Sequence, residues 1–132
     1  MHPVTKRSLL LITSLVATFV FLRVSLLLSP NSNFDVAGYN IHHLFTGIII
    51  LTLAAIPLLL FKNNNRAVDI LVITFGIGLS LALDEWVYLI ATDGSDTAYL
   101  TPVSFWGGVI VITLTVIYIL LLSWMAKCQN EK

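Results

Sequence analysis

Charge is what this sequence has least of. Asp, Glu, Lys and Arg together make up 11% of the 132 residues, against 58% hydrophobic. A soluble domain carries roughly 25% charged residues, so a water-facing coat cannot be assembled from these side chains. Cysteine is nearly absent: Cys128 stands alone in the polar tail, which excludes an internal disulfide. Neither sign of charge is in excess. Seven Lys and Arg balance seven Asp and Glu, and no basic stripe emerges, so nucleic acid is not an expected partner.

Long hydrophobic runs fill the space that charge leaves, and mean hydropathy is +0.94. A helix crosses a bilayer with about 20 apolar residues, and this length holds four such spans with short connectors and no separate soluble domain. Span 1 is expected from about Ser8 to Ser29, before the turn-rich Pro30-Asn31-Ser32-Asn33. Span 2 runs from about Tyr39 to Phe61, span 3 from about Ala67 to Ala91, and span 4 from about Pro102 to Ala126. In lipid each run must be helical, because its backbone groups find no water to bond. The chain is therefore expected to be all-α, a polytopic antiparallel bundle of four transmembrane helices forming a single membrane domain over residues 1–132. Pro57 is expected to kink span 2. Lys6 and Arg7 before an apolar run resemble the start of a signal peptide. The run to Leu28 is too long for one, lacks a clean small-residue cleavage site, and is read as a retained helix.

The placement of Lys and Arg orients the bundle. Lys6 and Arg7 precede span 1, Lys62 and Arg66 separate spans 2 and 3, and Lys127 and Lys132 follow span 4. The other two connectors carry only Asp35, Asp93 and Asp96. The positive-inside rule then puts both termini on the cytoplasmic side of the cytoplasmic membrane. Trp124 at the inner end, with Tyr39, Tyr88, Tyr99 and Trp106 at the outer, are expected to form interfacial belts.

Five ionisable residues lie within the spans: Arg23, His42, His43, Asp84 and Glu85. Asp69 sits at the inner end of span 3, where it can cap the helix or meet Arg66. A charge near the bilayer centre costs roughly 2.5–3.5 kcal/mol on insertion scales, so the five should face inward and find partners. Spans 2 and 3 run antiparallel about a connector centred on Asn64 and Asn65. Equal distances from that centre set His43 level with Trp86 and Thr46 level with Leu83, which brings both acids within one turn, about 5 Å, of His43 in depth. Arg23 lies about as deep in span 1. Small residues mark the packed faces: Gly76, Ser80 and Asp84 form one stripe and Gly78, Ala82 and Glu85 another. Gly47 shares a face with His43, and Ser104 with Gly108.

Several chemistries compete for this layer. Imidazole with carboxylate suits zinc, iron or manganese, and the lack of Cys disfavours copper(I). His42, His43, Asp84 and Glu85 are then the ligands, with Asp84 or Glu85 also the candidate general base towards a membrane-borne substrate. Neighbours on a helix point about 100° apart, so a site using one member of each pair is easier. In the structural alternative Arg23 pairs with one acid, and the histidines bond the other and Thr46 or Ser104; the chain is then a non-catalytic accessory or assembly protein. A proton- or ion-handling subunit is the third reading, opposed by an inner half that carries almost no polar path, since Thr52, Thr74, Thr113 and Thr115 are single hydroxyls. A nucleophile built on Ser104 with His43 and Asp84 has no motif behind it. The lipid bilayer is the expected partner, with a second copy or another membrane protein beside it.

The segments His42-His43-x-x-x-Gly47 and Gly76-Ile-Gly78-x-x-Leu81-x-x-Asp84-Glu85-Trp86 resemble a group of small, uncharacterised prokaryotic four-span membrane proteins. In these a double histidine opens one span and an acidic pair closes the next. The resemblance covers spans 2 and 3, about half the chain. It implies an architecture and a site, and no reaction; Arg23 lies outside it.

Overall fold

A computed structural model describes residues 3–28, 35–36, 39–40, 42–61 and 66–130. The Ser29–Asn33 turn, the Lys62–Asn65 connector and Lys132 lie outside the described residues, as does the Tyr39 side chain. The elements run α1 (Pro3–Leu28), β1 (Asp35–Val36), β2 (Tyr39–Asn40), α2 (His43–Leu60), α3 (Arg66–Ala91), α4 (Asp96–Tyr99) and α5 (Pro102–Asn130). Four of the helices are long and apolar enough to cross a membrane, the architecture of a multi-pass membrane protein. β1 and β2 form only a two-residue antiparallel ladder, in which Asp35 pairs with Asn40 and Val36 with Tyr39.

The boundaries differ from expectation at three places. α1 begins at Pro3 and α5 continues to Asn130, each about a turn beyond the apolar run. α2 begins at His43 rather than near Tyr39, because the chain at Tyr39–Asn40 is extended and paired with β1. Pro57 is accommodated inside α2, which continues to Leu60; the Pro57 carbonyl accepts the Phe61 N–H at 2.8 Å and closes the helix.

α3 is the hub. It packs against α1, α2 and α5, while α1 also meets α5 and α2 lies chiefly on α3. Its buried stripe runs Val68, Val72, Gly76, Ser80, Asp84, Tyr88, one residue every four. Lys6 meets Asp69, Ser14 meets Gly76 and Arg23 meets Asp84, so α1 and α3 run parallel. Against α2 the stripe is Gly78, Ala82 and Glu85. A Cβ on Gly47 would stand 2.7 Å from the Ala82 nitrogen and the Gly78 carbonyl oxygen, and one on Gly78 would stand 2.8 Å from the Leu51 nitrogen. These backbones touch, which only glycine permits. Leu44 with Glu85, Gly47 with Ala82 and Leu51 with Gly78 all lie on the register expected from the connector, in which His43 is level with Trp86.

An apolar core of Leu15, Phe19, Ile112 and Ile119 fills the middle of the α1–α3–α5 triangle. The outward faces carry exposed Leu, Ile, Phe and Trp along their length, a surface that water would disfavour and hydrocarbon matches. Asp69 is met by Lys6 of α1, which reaches it at 2.5 Å, and among the described residues it forms no ion pair with Arg66.

Candidate functional site

The structure gathers Arg23, Asp84 and Ser104 into one cluster and His42 with Glu85 into another, at the end of the bundle that holds α4. α1 presents Arg23 one turn beyond Phe19, and α3 presents Asp84 at the end of its small-residue stripe. Arg23 Nε donates to Asp84 Oδ1 at 2.8 Å, and its Nη2 lies 2.6 Å from the same oxygen. The remaining donors go to α5 and the segment before it. Nη1 donates to the Tyr99 carbonyl and to Ser104 Oγ, both at 3.3 Å, and Nη2 donates to the Ser104 carbonyl at 3.2 Å. Of the five N–H groups of the guanidinium, four donate these hydrogen bonds, and Nη2 adds its ion-pair contact with Asp84. Gly108 leaves the space: a Cβ there would stand 3.1 Å from both Arg23 Nη2 and Asp84 Oδ1.

Tyr99 completes the cluster from above. Its hydroxyl donates to Asp84 Oδ2, and its ring lies 4.4 Å from the guanidinium carbon, in cation–π contact. Both Asp84 oxygens are thus occupied, and the carboxylate is 0% exposed. A buried charge is tolerated when paired and hydrogen-bonded on all sides, and this one is.

Glu85 serves the neighbouring helix. Its Oε2 accepts the Leu44 N–H at 2.5 Å, and its Oε1 lies 2.8 Å from His42 Nδ1. His42 is the N-cap residue of α2, yet its side chain makes no cap bond to its own helix. A carboxylate borrowed from α3 performs that task, satisfying an orphan N–H and meeting the positive end of the helix dipole. His43 behaves differently. Half-buried, it rests edge-on against Tyr99 with ring centres 6.1 Å apart, and among the described residues no hydrogen bond reaches its ring. Thr46, one turn along α2, likewise bonds no member of the cluster.

Two tyrosines expected at the membrane interface belong to this layer instead. Tyr88 is 1% exposed and Tyr99 7%. Their rings meet at 5.1 Å, Tyr88 approaches His42 at 6.3 Å, and the Tyr88 hydroxyl donates to the Ser95 carbonyl at 2.9 Å. Aromatic contacts therefore join the Arg23–Asp84 cluster to the His42–Glu85 pair. Sequence position alone suggested the interface; α4, a single turn that carries Tyr99 back into the bundle just before Pro102, is what overturns it.

The four expected metal ligands therefore share a layer but not a focus. Asp84 faces Arg23 and Tyr99, Glu85 faces His42 and the start of α2, and among the described residues no three His, Cys, Asp or Glu side chains converge. Ser104 serves Arg23, away from any nucleophilic arrangement with His43. Along the rest of the bundle Thr52, Thr74 and Thr115 donate to carbonyls four residues back in their own helices, and so extend no relay. Ser80 Oγ, one turn from Asp84, is fully buried and among the described residues has no hydrogen-bond partner. No family model, curated protein or solved structure matches this chain, so its geometry alone speaks for what it does.

Proposed function

We propose that the polar layer is a helix clamp and that the chain is a non-catalytic accessory or assembly protein of the membrane. The observation that carries this reading is the pairing of the Arg23 guanidinium inside the bundle. Four hydrogen bonds and one ion-pair contact reach four acceptor atoms drawn from α3, α5 and the segment between them, so that all three guanidinium nitrogens are engaged. Glu85 is likewise committed to the start of α2. Such a layer fixes which helices pack and at what height, and the exposed apolar faces remain for a membrane-protein partner or a second copy. The Lys and Arg pattern supports a cytoplasmic-membrane location with both termini inside.

Paired substitution tests the clamp. Arg23→Leu alone strands a buried carboxylate and is expected to cost about 3–5 kcal/mol. Arg23→Leu with Asp84→Leu should recover most of that loss, read as thermal unfolding in detergent. A double variant no more stable than the worse single one would count against the clamp.

A divalent-metal site is the runner-up, and the His42–Glu85 approach favours it. A nitrogen and an oxygen 2.8 Å apart are close enough for one zinc, at about 2.0–2.2 Å from each, to replace the hydrogen bond. His43 or Asp84 would have to turn to supply a third ligand. Stoichiometric zinc, iron or manganese in purified protein, lost in His42→Ala, would establish that reading and remove the first.

A further inference from the structure

A cavity of about 330 Å³ lies beside the clamp, between the last turns of α1 and the start of α5. Leu26, Leu27, Leu100, Pro102, Phe105 and Trp106 form its apolar walls, and Arg23 and Tyr99 close its floor. Its size falls within the range of small-molecule sites, and nearly all its lining is hydrocarbon or aromatic. Leu27 and Trp106 at its rim are 73% and 60% exposed, on helices long enough to cross a membrane, so its mouth opens where lipid lies.

We infer that this cavity is a slot for one hydrocarbon chain of a bilayer lipid, selected by the chain and not by the headgroup. Charge decides the point. Arg23 is the single charged side chain in the lining, and all three of its guanidinium nitrogens are engaged inside the protein. An anionic headgroup would find no unpaired cation there. The net charge it would meet is also cancelled, because Asp84 is in direct contact with the guanidinium. What the cavity offers instead is apolar contact area, which a methylene chain fills by van der Waals packing, together with aromatic walls at Phe105 and Trp106. The tail would pack over the stacked Tyr99 and Arg23, and so bear on the clamp from its lipid side.

Trp106 reports on occupancy. A Trp86→Phe, Trp124→Phe variant leaves Trp106 as the only tryptophan, and both changes are at exposed positions. In detergent micelles, titration with a phospholipid brominated on its acyl chains should quench Trp106 with a saturating phase that completes near one lipid per protein. A companion variant keeping only Trp124 should show quenching proportional to lipid fraction, without saturation. Phosphatidylcholine and phosphatidylglycerol of the same chains should saturate Trp106 within about threefold of one another. Filling the cavity with Leu27→Phe and Leu100→Phe should weaken the saturating phase at least tenfold. Native mass spectrometry of the unsubstituted protein should show one retained lipid of either headgroup. Coincident curves for Trp106 and Trp124, saturation by the anionic lipid alone, or saturation undisturbed by the filled cavity would each overturn the assignment.

Discussion

Tyr99 joins two kinds of contact in one side chain. Its ring supports the Arg23 guanidinium, and its hydroxyl satisfies the second oxygen of Asp84. Tyr99→Phe separates these, keeping the ring and leaving a buried carboxylate oxygen bare. The expected loss is about 1–3 kcal/mol in thermal unfolding, and Tyr99→Leu, which removes the ring as well, should lose more. Tyr88→Phe should cost less, since the Ser95 carbonyl it releases sits in a partly open loop. In that loop Ser95 also donates to Asp93 Oδ1, from its hydroxyl at 2.7 Å and from its N–H at 3.0 Å. The Ser95 hydroxyl first, and then its N–H, hold the Asp93 carboxyl below the ordinary aspartate value. A lowered folded value means that this contribution to loop order is fully present above the unfolded pKa and disappears as pH falls through the folded one. Carboxyl carbon NMR should find Asp93 titrating below a free aspartate, and Ser95→Ala should raise it; an unmoved midpoint would contradict the assignment.

At the scale of elements, backbone contact between α2 and α3 is the feature most sensitive to a single atom. Gly47→Ala places a methyl group against fixed backbone of α3, and Gly78→Ala does the same against α2. Neither neighbour can rotate away, so each change should cost about 1–3 kcal/mol by overpacking. Thr52→Ala, at an exposed position of α2, should be close to neutral in the same measurement. Much of this arrangement was legible in the sequence. Connector position set the α2–α3 register, small-residue spacing named the faces, and the cost of a buried charge put Arg23 with an acid. The partners from distant or irregular segments were not legible. Lys6 reaches Asp69 from 63 residues away, and no local pattern encodes that. Tyr99 enters the layer from a four-residue helix, too short for any periodicity, and the late start of α2 depends on a two-residue ladder. Which acid serves which helix also escaped, because Asp84 and Glu85 are adjacent in sequence and diverge only once α1 and α2 are set on different sides of α3.

For the whole molecule, the expected orientation is open to a direct test. Cys128 is exposed and is the sole cysteine. A membrane-impermeant maleimide should label it only after the membrane is breached, whereas Asp96→Cys in a Cys128→Ser background should be labelled on intact cells. The opposite pattern would reverse the bundle and place the Arg23 layer near the cytoplasmic face. Either way, the layout makes assembly depend on order of synthesis. Arg23 emerges from the ribosome in the first helix, and Asp84 follows 61 residues later. Tyr99 and Ser104 come 76 and 81 residues after it. Until the third helix arrives, the first carries an uncompensated cation into a place where none is welcome, so its initial residence in the bilayer is provisional. A nascent chain arrested before residue 84 should therefore be held by the insertion machinery, or slide until its arginine reaches water, and commit to its final depth only when the counter-charge is delivered.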